Sequence, residues 1–143
     1  MKGTMVMLDQ TDLAILKLLQ ENARMPWREI GERVHLTGQA VGSRIRKMEE
    51  TGVIEGYTLR LDPSKLSPSL LALVTVFMKT TDHAAFQRFI QRDERICEAH
   101  RISGEGCYSL KVSVPNQEEL NRLLDEILAY GNYRVNLSIG RVK

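Results

Sequence analysis

The chain has 143 residues, of which 43% are hydrophobic and 27% charged, a composition typical of one globular domain or two small ones. Its formal net charge of +2 neither requires nor excludes a polyanionic partner. The longest apolar run, residues 70–74, is much shorter than the roughly 18 residues of a membrane span. Since no cationic and apolar signal segment opens the chain, we expect a cytoplasmic protein without a membrane partner.

The first regular element is predicted to begin at Asp9, whose carboxylate can cap a helix that has Asp12 in its first turn. This helix should extend to about Ala23. Two short helices alone bury too little surface, so we expect this one to support the two that follow and complete a three-helix head. Its inward side is predicted to consist of Ile15, Leu16 and Leu19.

Residues 26–52 indicate two short helices joined by a tight turn at His35 and Leu36. Thr37 has a side-chain oxygen that can accept a hydrogen bond from the free N–H groups of the following helix, so it is a good N-cap. Gly52 can take the left-handed conformation that ends this helix. The apolar stripe of the second helix, at helical spacing, is Val41, Ile45 and Met48.

The opposite face of that second helix combines amides and hydroxyls with cations, and residues 37–47 include no acid. Such a face suits the DNA major groove, where amides and hydroxyls contact base edges and cations contact phosphates. We expect Gln39 and Ser43 to approach base edges, and the other residues mainly to contact phosphates, although Arg46 is also placed to contact a guanine. The predicted DNA-binding residues are Thr37, Gln39, Ser43, Arg44, Arg46 and Lys47.

Beyond Gly52 the apolar period changes from 3.6 to 2, which is typical of a strand. Tyr57, Leu59 and Leu61 alternate with polar residues and predict a hinge strand. Residues 62–68 hold two prolines and two serines, which favours a domain boundary there. The predicted divisions are a helix-turn-helix domain at 1–52, a hinge strand and linker at 53–68, and a second domain at 69–143.

The second domain alternates strands and helices in the order βαββαβ, which predicts a ferredoxin-like α+β fold with both helices on one face of an antiparallel sheet. A small sheet with one bare apolar face is usually completed by a second copy, so we expect at least a homodimer. The predicted strands are 70–80, 96–103, 107–114 and 133–142, and the predicted helices are 83–92 and 117–130.

Four segments together resemble the Lrp/AsnC (feast/famine) family of transcription regulators: LDQTDLAIL, REIGERVHLT, SRIRKMEETGVIEGYTLRLDPSKL, and a G-x-G turn before a strand. The resemblance covers nearly the whole chain. It implies a helix-turn-helix that binds double-stranded DNA and a ligand-sensing βαββαβ domain. It also implies dimers formed through the sheets, octamer-type rings of dimers, and amino-acid effectors bound near the turn between the second and third strands. No metal or other cofactor is expected.

The resemblance places the effector site at Ser103, Gly104, Glu105, Gly106, Cys107 and Tyr108. The family pattern at this turn is glycine, an acid, tyrosine and aspartate, and here Gly106 and Cys107 stand for the last two. A buried ammonium without its anion is costly, so we expect weak amino-acid binding or none, with space beside Gly106. The protein would then act mainly as an oligomer that organises DNA. The alternative is that Glu105, or a residue of another subunit, supplies the missing charge.

Two rival classes are weighed against DNA binding. An enzyme or a zinc protein would use Cys97 and His100. However, the sequence has no second pair of ligands at the spacing of a metal site and no evident catalytic triad, so we expect no enzyme.

The other rival is an oligomeric sensor whose helical head does not bind DNA. Gly38 and Gly42 favour it, because each costs a helix roughly 1 kcal/mol against alanine. Some gain must offset that cost, and close approach to the DNA backbone is one candidate.

Overall fold

The computed structural model describes residues 5–62 and 65–143 and divides the chain into two compact units, Met1–Arg60 and Leu61–Lys143. The division falls within residues 53–68, where the sequence places the linker. Across the described parts of the chain, no helix is long and apolar enough to cross a membrane.

The first unit contains three helices: α1 at Gln10–Glu21, α2 at Trp27–Val34 and α3 at Gly38–Glu50. Their apolar faces meet in one small core, as the helical spacing predicts, although Leu16 only borders it. Helix α1 ends two residues before the predicted position, where Asn22 takes an extended conformation. The buried core consists of Ile15, Leu19, Met25, Ile30, Val41, Ile45 and Met48.

The caps predicted for α1 and α3 are confirmed. The Asp9 carboxylate accepts from the Asp12 backbone N–H at 2.8 Å, and the Asp12 carboxylate accepts from the Asp9 N–H at 3.1 Å. These reciprocal bonds form a capping box, which satisfies two of the N–H groups that a helix start leaves free. Thr37 Oγ1 accepts from the Ala40 N–H at 3.1 Å and so starts α3.

The turn between α2 and α3 depends on two backbone features. His35 has a left-handed conformation, with φ 59°, which is uncommon for a residue with a side chain. The Leu36 N–H then donates to the Gly31 carbonyl at 2.9 Å. A methyl group on Gly31 would collide with the Leu36 carbonyl oxygen, so the tight turn requires glycine at this position.

The predicted hinge strand does not form within the single chain. Residues 55–62 form no strand in the structure, and Tyr57, Leu59 and Leu61 are exposed. The alternating pattern is present, but a strand also needs a partner for its backbone groups, and this segment pairs with no described strand of its own chain. The segment is held at its start, because the Tyr57 hydroxyl donates to the Glu49 carboxylate at 2.7 Å.

The second unit has the predicted βαββαβ order and forms one antiparallel sheet with strand order β2-β3-β1-β4. The last helix, α5, ends at Ile127, three residues before the predicted end at residue 130. Because Gly131 begins the last strand instead of ending that helix, this strand starts and ends earlier than predicted. The elements are β1 Leu70–Met78, α4 His83–Arg92, β2 Ile96–Arg101, β3 Tyr108–Val114, α5 Gln117–Ile127 and β4 Gly131–Leu137.

The two faces of this sheet differ. Alternate residues of β1 and β3 are buried with α4 and α5 in the main core, around Phe86. The other face of β1 carries Leu71, Leu73 and Phe77, which are only partly covered, and Leu73 is 49% exposed. One face therefore forms the core, and the other stays open in the single chain.

Candidate nucleic-acid interface and effector turn

Helix α3 presents one exposed face that is free of core contacts. Gln39, Ser43, Arg46 and Lys47 are all exposed and fall three or four residues apart, so they lie on one side of the helix. The buried stripe of α3 lies on the opposite side. The structure thus brings these four predicted residues together, while Thr37 begins the helix and its oxygen already accepts a backbone N–H.

The cations of α2 are paired with acids. Arg33 lies 2.8 Å from Glu29 and Arg28 lies 3.6 Å from Glu32, each one helical turn apart. Arg46 and Lys47 differ from them, because neither forms an ion pair with any residue of the ranges 5–62 and 65–143. The uncompensated positive charge of this helical pair therefore lies on the exposed face of α3.

Arg44 is placed differently from the prediction. Its Nη1 lies 2.7 Å from Asp9 Oδ2 and 2.8 Å from Asp12 Oδ1, so the guanidinium lies on the first turn of α1 and not on the open face. The hydrogen bond that Arg44 donates to Asp9 is the main reason that the pKa of Asp9 lies below its ordinary value of 3.8. Because the two acids are far from Arg44 in sequence, the helical pattern of α3 alone gave no sign of this pairing. The predicted phosphate contact of Arg44 stays a prediction.

The glycines of α3 face α2. A methyl group on Gly42 would collide with the ring of Trp27, and one on Gly38 would lie 3.2 Å from the backbone nitrogen of Arg28. In the single chain, the close approach that offsets the cost of these glycines is therefore to α2, which adds an explanation beside the predicted approach to the DNA backbone. Their four-residue spacing was the available signal, since it puts both on one face of the helix.

Trp27 is not among the residues predicted to bind DNA. Its side chain packs on Gly42 but stays 43% exposed, so it borders the free face of α3. The Arg46 guanidinium carbon lies 5.6 Å from the centre of the ring, and Arg46 Nε donates to the Gly42 carbonyl at 3.3 Å. An aromatic ring thus lies beside one of the two unpaired cations.

The predicted effector turn is tightly bound to β1. Gly104 and Gly106 have positive φ angles of 100° and 94°, and the Cys107 N–H donates to the Val76 carbonyl at 2.7 Å. A side chain on Gly106 would meet Thr75. The expected space beside Gly106 is therefore filled by β1 in the single chain, because the left-handed turn directs this position inward.

The other members of the turn lie in different surroundings. Glu105 is exposed and lies 3.5 Å from Arg134 of β4. Tyr108 is only 2% exposed, and its hydroxyl lies 2.9 Å from His83 Nδ1 and accepts from Gln87 Nε2 at 3.1 Å. Tyr108 thus belongs to the core beneath α4. It is therefore separated from the other residues of the predicted effector site.

The cysteine and histidine pattern does not assemble a metal site. Within residues 5–62 and 65–143, no three potential ligands among His, Cys, Asp and Glu come together. Cys97 and Cys107 are free thiols, and His100 lies 2.7 Å from Glu98 on the exposed side of β2.

Both halves of the chain match known protein domains. Residues 8–49 match the AsnC-type helix-turn-helix domain, and residues 71–143 match the Lrp/AsnC ligand binding domain. The first match contains all three helices up to Glu49, and the second contains nearly the whole sheet with its two helices.

Individual relatives agree with these matches. HTH-type transcriptional regulator LrpB of Bacillus subtilis (strain 168) is 50% identical, over 95% of this chain and 91% of its own length. The leucine-responsive regulatory protein of Escherichia coli (strain K12) is 36% identical, over 85% of this chain and 76% of its own length. The solved structure of B. subtilis LrpC superposes with a TM-score of 0.88 at 29% identity, over 96% of this chain and 99% of LrpC.

The bond between Arg44 and Asp9 predicts an acid-sensitive first unit. Because the pKa of Asp9 is lowered in the folded protein, this contribution to stability is present above pH 3.8 and is lost as the pH falls through the folded pKa. Trp27 is the only tryptophan, so its emission follows the denaturant unfolding of this unit. We expect Asp9→Asn to lower the denaturant midpoint at neutral pH and to make that midpoint fall less steeply as the pH drops below 3.8.

The matched control is Glu55→Gln, which removes an exposed acid that forms no ion pair among the described residues of the first unit. It should retain the wild-type dependence of the midpoint on pH. If the midpoint of Asp9→Asn changed with pH in parallel with that of the wild type, the bond between Arg44 and Asp9 would not be the source of the acid sensitivity.

Proposed function

The chain belongs to the Lrp/AsnC family of DNA-binding transcriptional regulators, and from that premise we propose that α3 enters the major groove of operator DNA. The observation that carries this proposal is the exposed face on which two unpaired cations adjoin an amide and a hydroxyl. Gln39, Ser43 and Arg46 would contact base edges, and Lys47 and Thr37 would contact phosphates. The activity is regulatory and not enzymatic, and we place it in the cytoplasm, with the DNA.

Charge pairing supports this division of roles. Arg28 and Arg33 already have carboxylate partners within their own helix, so a phosphate would have to compete with those partners. Arg46 and Lys47 have no such carboxylate partner among the described residues, so a phosphate would meet no competitor there. Polyanion binding gains from each free cation because phosphate neutralisation releases counterions.

We propose a different role for Arg44. Its contacts with Asp9 and Asp12 join α3 to the first turn of α1. These contacts support a role for Arg44 in setting the orientation of α3, since a phosphate would have to compete with two carboxylates for its guanidinium.

The DNA assignment predicts distinct effects for individual substitutions. Arg46→Ala and Gln39→Ala should each cost roughly 1–3 kcal/mol on the best site and relax its preference at one base pair. Lys47→Ala should weaken all sites alike and reduce the slope of log affinity against log salt by about one. The measurement is a gel-shift titration at several salt concentrations, starting with the DNA upstream of the gene for this protein.

Arg122→Ala is the charge-matched control, because Arg122 is already paired with Glu118 and Glu119 on α5 of the second unit. It should bind DNA as the wild type does. Unchanged operator binding in both Arg46→Ala and Gln39→Ala would show that this face of α3 is not the DNA surface.

We further propose that the protein is at least a homodimer, with a ring of dimers as the higher form. One helix-turn-helix contacts one half-site, so a dimer would bind half-sites about 10 bp apart or a multiple of that spacing. The open face of the sheet supports the proposal, since Leu71, Leu73 and Phe77 are incompletely covered there. A second copy placed on this face would bury that apolar strip.

Leu73→Lys should shift the protein toward the monomer, because the new cation would lie on the proposed interface opposite Lys111 of β3. Leu128→Lys is the matched control: Leu128 is similarly exposed, at 42%, but follows α5 away from the open face. Sedimentation velocity at micromolar concentration measures the difference. A wild-type monomer, or equal dissociation of both variants, would overturn the proposed interface.

For the effector, we propose weak amino-acid binding or none. The position expected to hold an aspartate is the free cysteine Cys107, and Glu105 is directed toward Arg134 in solvent. Calorimetric titration with the twenty amino acids should show no micromolar dissociation constant. Micromolar binding of any of them that is lost in Glu105→Ala, but kept in Glu118→Ala on α5, would show that Glu105 supplies the charge.

A further inference from the structure

We propose that Trp27 positions Arg46 for base recognition, so that an α2 residue sets the sequence preference of α3. This inference deepens the proposed function and depends on α3 lying in the major groove. The observation behind it is the contact of three groups: the Trp27 ring, the backbone of Gly42 and the Arg46 guanidinium.

The ring lies beside the guanidinium at a cation–π distance. The guanidinium carbon is 5.6 Å from the ring centre, within the roughly 6 Å over which an aromatic face attracts a cation. The ring reaches this place because Gly42 has no side chain, and a methyl there would overlap it. Trp27 is nearly half exposed, which is a large apolar surface to leave in solvent at the edge of a polar face.

The backbone provides a second restraint on the same arginine. Arg46 Nε donates to the Gly42 carbonyl at 3.3 Å, which fixes the inner end of the guanidinium. The terminal Nη1 and Nη2 groups have no carboxylate partner among the residues that the structure describes. Two parallel N–H donors are what the O6 and N7 acceptors of guanine require.

Restraint matters because arginine is otherwise a flexible side chain that contacts any nearby phosphate. A guanidinium held in one orientation loses less freedom when it binds a base edge, so recognition of that base is favoured over a less directional phosphate contact. Lys47 provides the comparison within the same helix. Lys47 is exposed, no aromatic ring of the described residues lies over it, and its ammonium is a point charge suited to phosphate.

The test begins by selecting sites for the wild-type protein from a pool of random DNA duplexes. Affinities are then measured for the best site and for each of its single base-pair changes. We expect Arg46→Ala to lose about tenfold discrimination at one base pair. Trp27→Leu should lose the discrimination at that same base pair while its affinity for unrelated DNA and its salt dependence stay close to wild type. Lys47→Ala should keep the base preference and weaken all sites together.

Two further variants separate positioning from folding. Gly42→Ala should displace the ring and lose the same discrimination. The double variant with Trp27→Leu and Gly42→Ala removes the clash and places a methyl where the ring was. We expect its denaturant midpoint, measured by circular dichroism, to rise above that of the Gly42→Ala single variant without recovery of the base preference. A purely structural role predicts instead that preference returns with stability.

The inference is overturned if Trp27→Leu keeps the wild-type base preference while Arg46→Ala loses it, or if Arg46→Ala loses no preference at all. It is also overturned if the double variant recovers the preference. These results differ from failure of the proposed function, in which neither Arg46→Ala nor Gln39→Ala would alter operator binding.

Discussion

The first unit depends on how closely α2 and α3 can approach each other. At the turn, Gly31 lies against the Leu36 carbonyl, and along the helices Gly42 lies against the Trp27 ring. Each glycine in a helix costs roughly 1 kcal/mol against alanine, and the packing of the two helices offsets that cost. Because α2 has only eight residues, little other surface is available to hold it. The exposed face of α3 therefore has its orientation set by contacts on the opposite and adjoining faces.

Local signals accounted for most of the architecture. Caps such as Asp9 and Thr37 and the apolar stripe of α3 depend on residues within a few positions of one another, so the sequence pattern was sufficient for them. The strand and helix order of the second unit followed for the same reason. The hinge segment shows the limit of such reasoning, because alternation specifies a strand face but not the neighbour that a strand requires.

The site was predictable only in part. The exposed amide, hydroxyl and cations of α3 followed from periodicity, whereas the partners of Arg44 lie more than 30 residues away and are known only once α1 and α3 are packed. Tyr108 was assigned to the turn by its position in the chain, although strand alternation directs its side chain into the core. There its ring meets the Phe86 ring edge-on, with 5.0 Å between the ring centres. Net charge was uninformative because pairing, and not the sum of charges, determines which cations remain free.

The capping box of α1 has a second use, since the same two carboxylates that start the helix also hold Arg44. The end of a helix is ordinarily the first place to fray, and local opening of this kind requires little free energy. Here fraying of the first turn of α1 would also release a guanidinium of α3. The first turn of α1 and helix α3 are thereby coupled, so that opening of one weakens the contacts that hold the other.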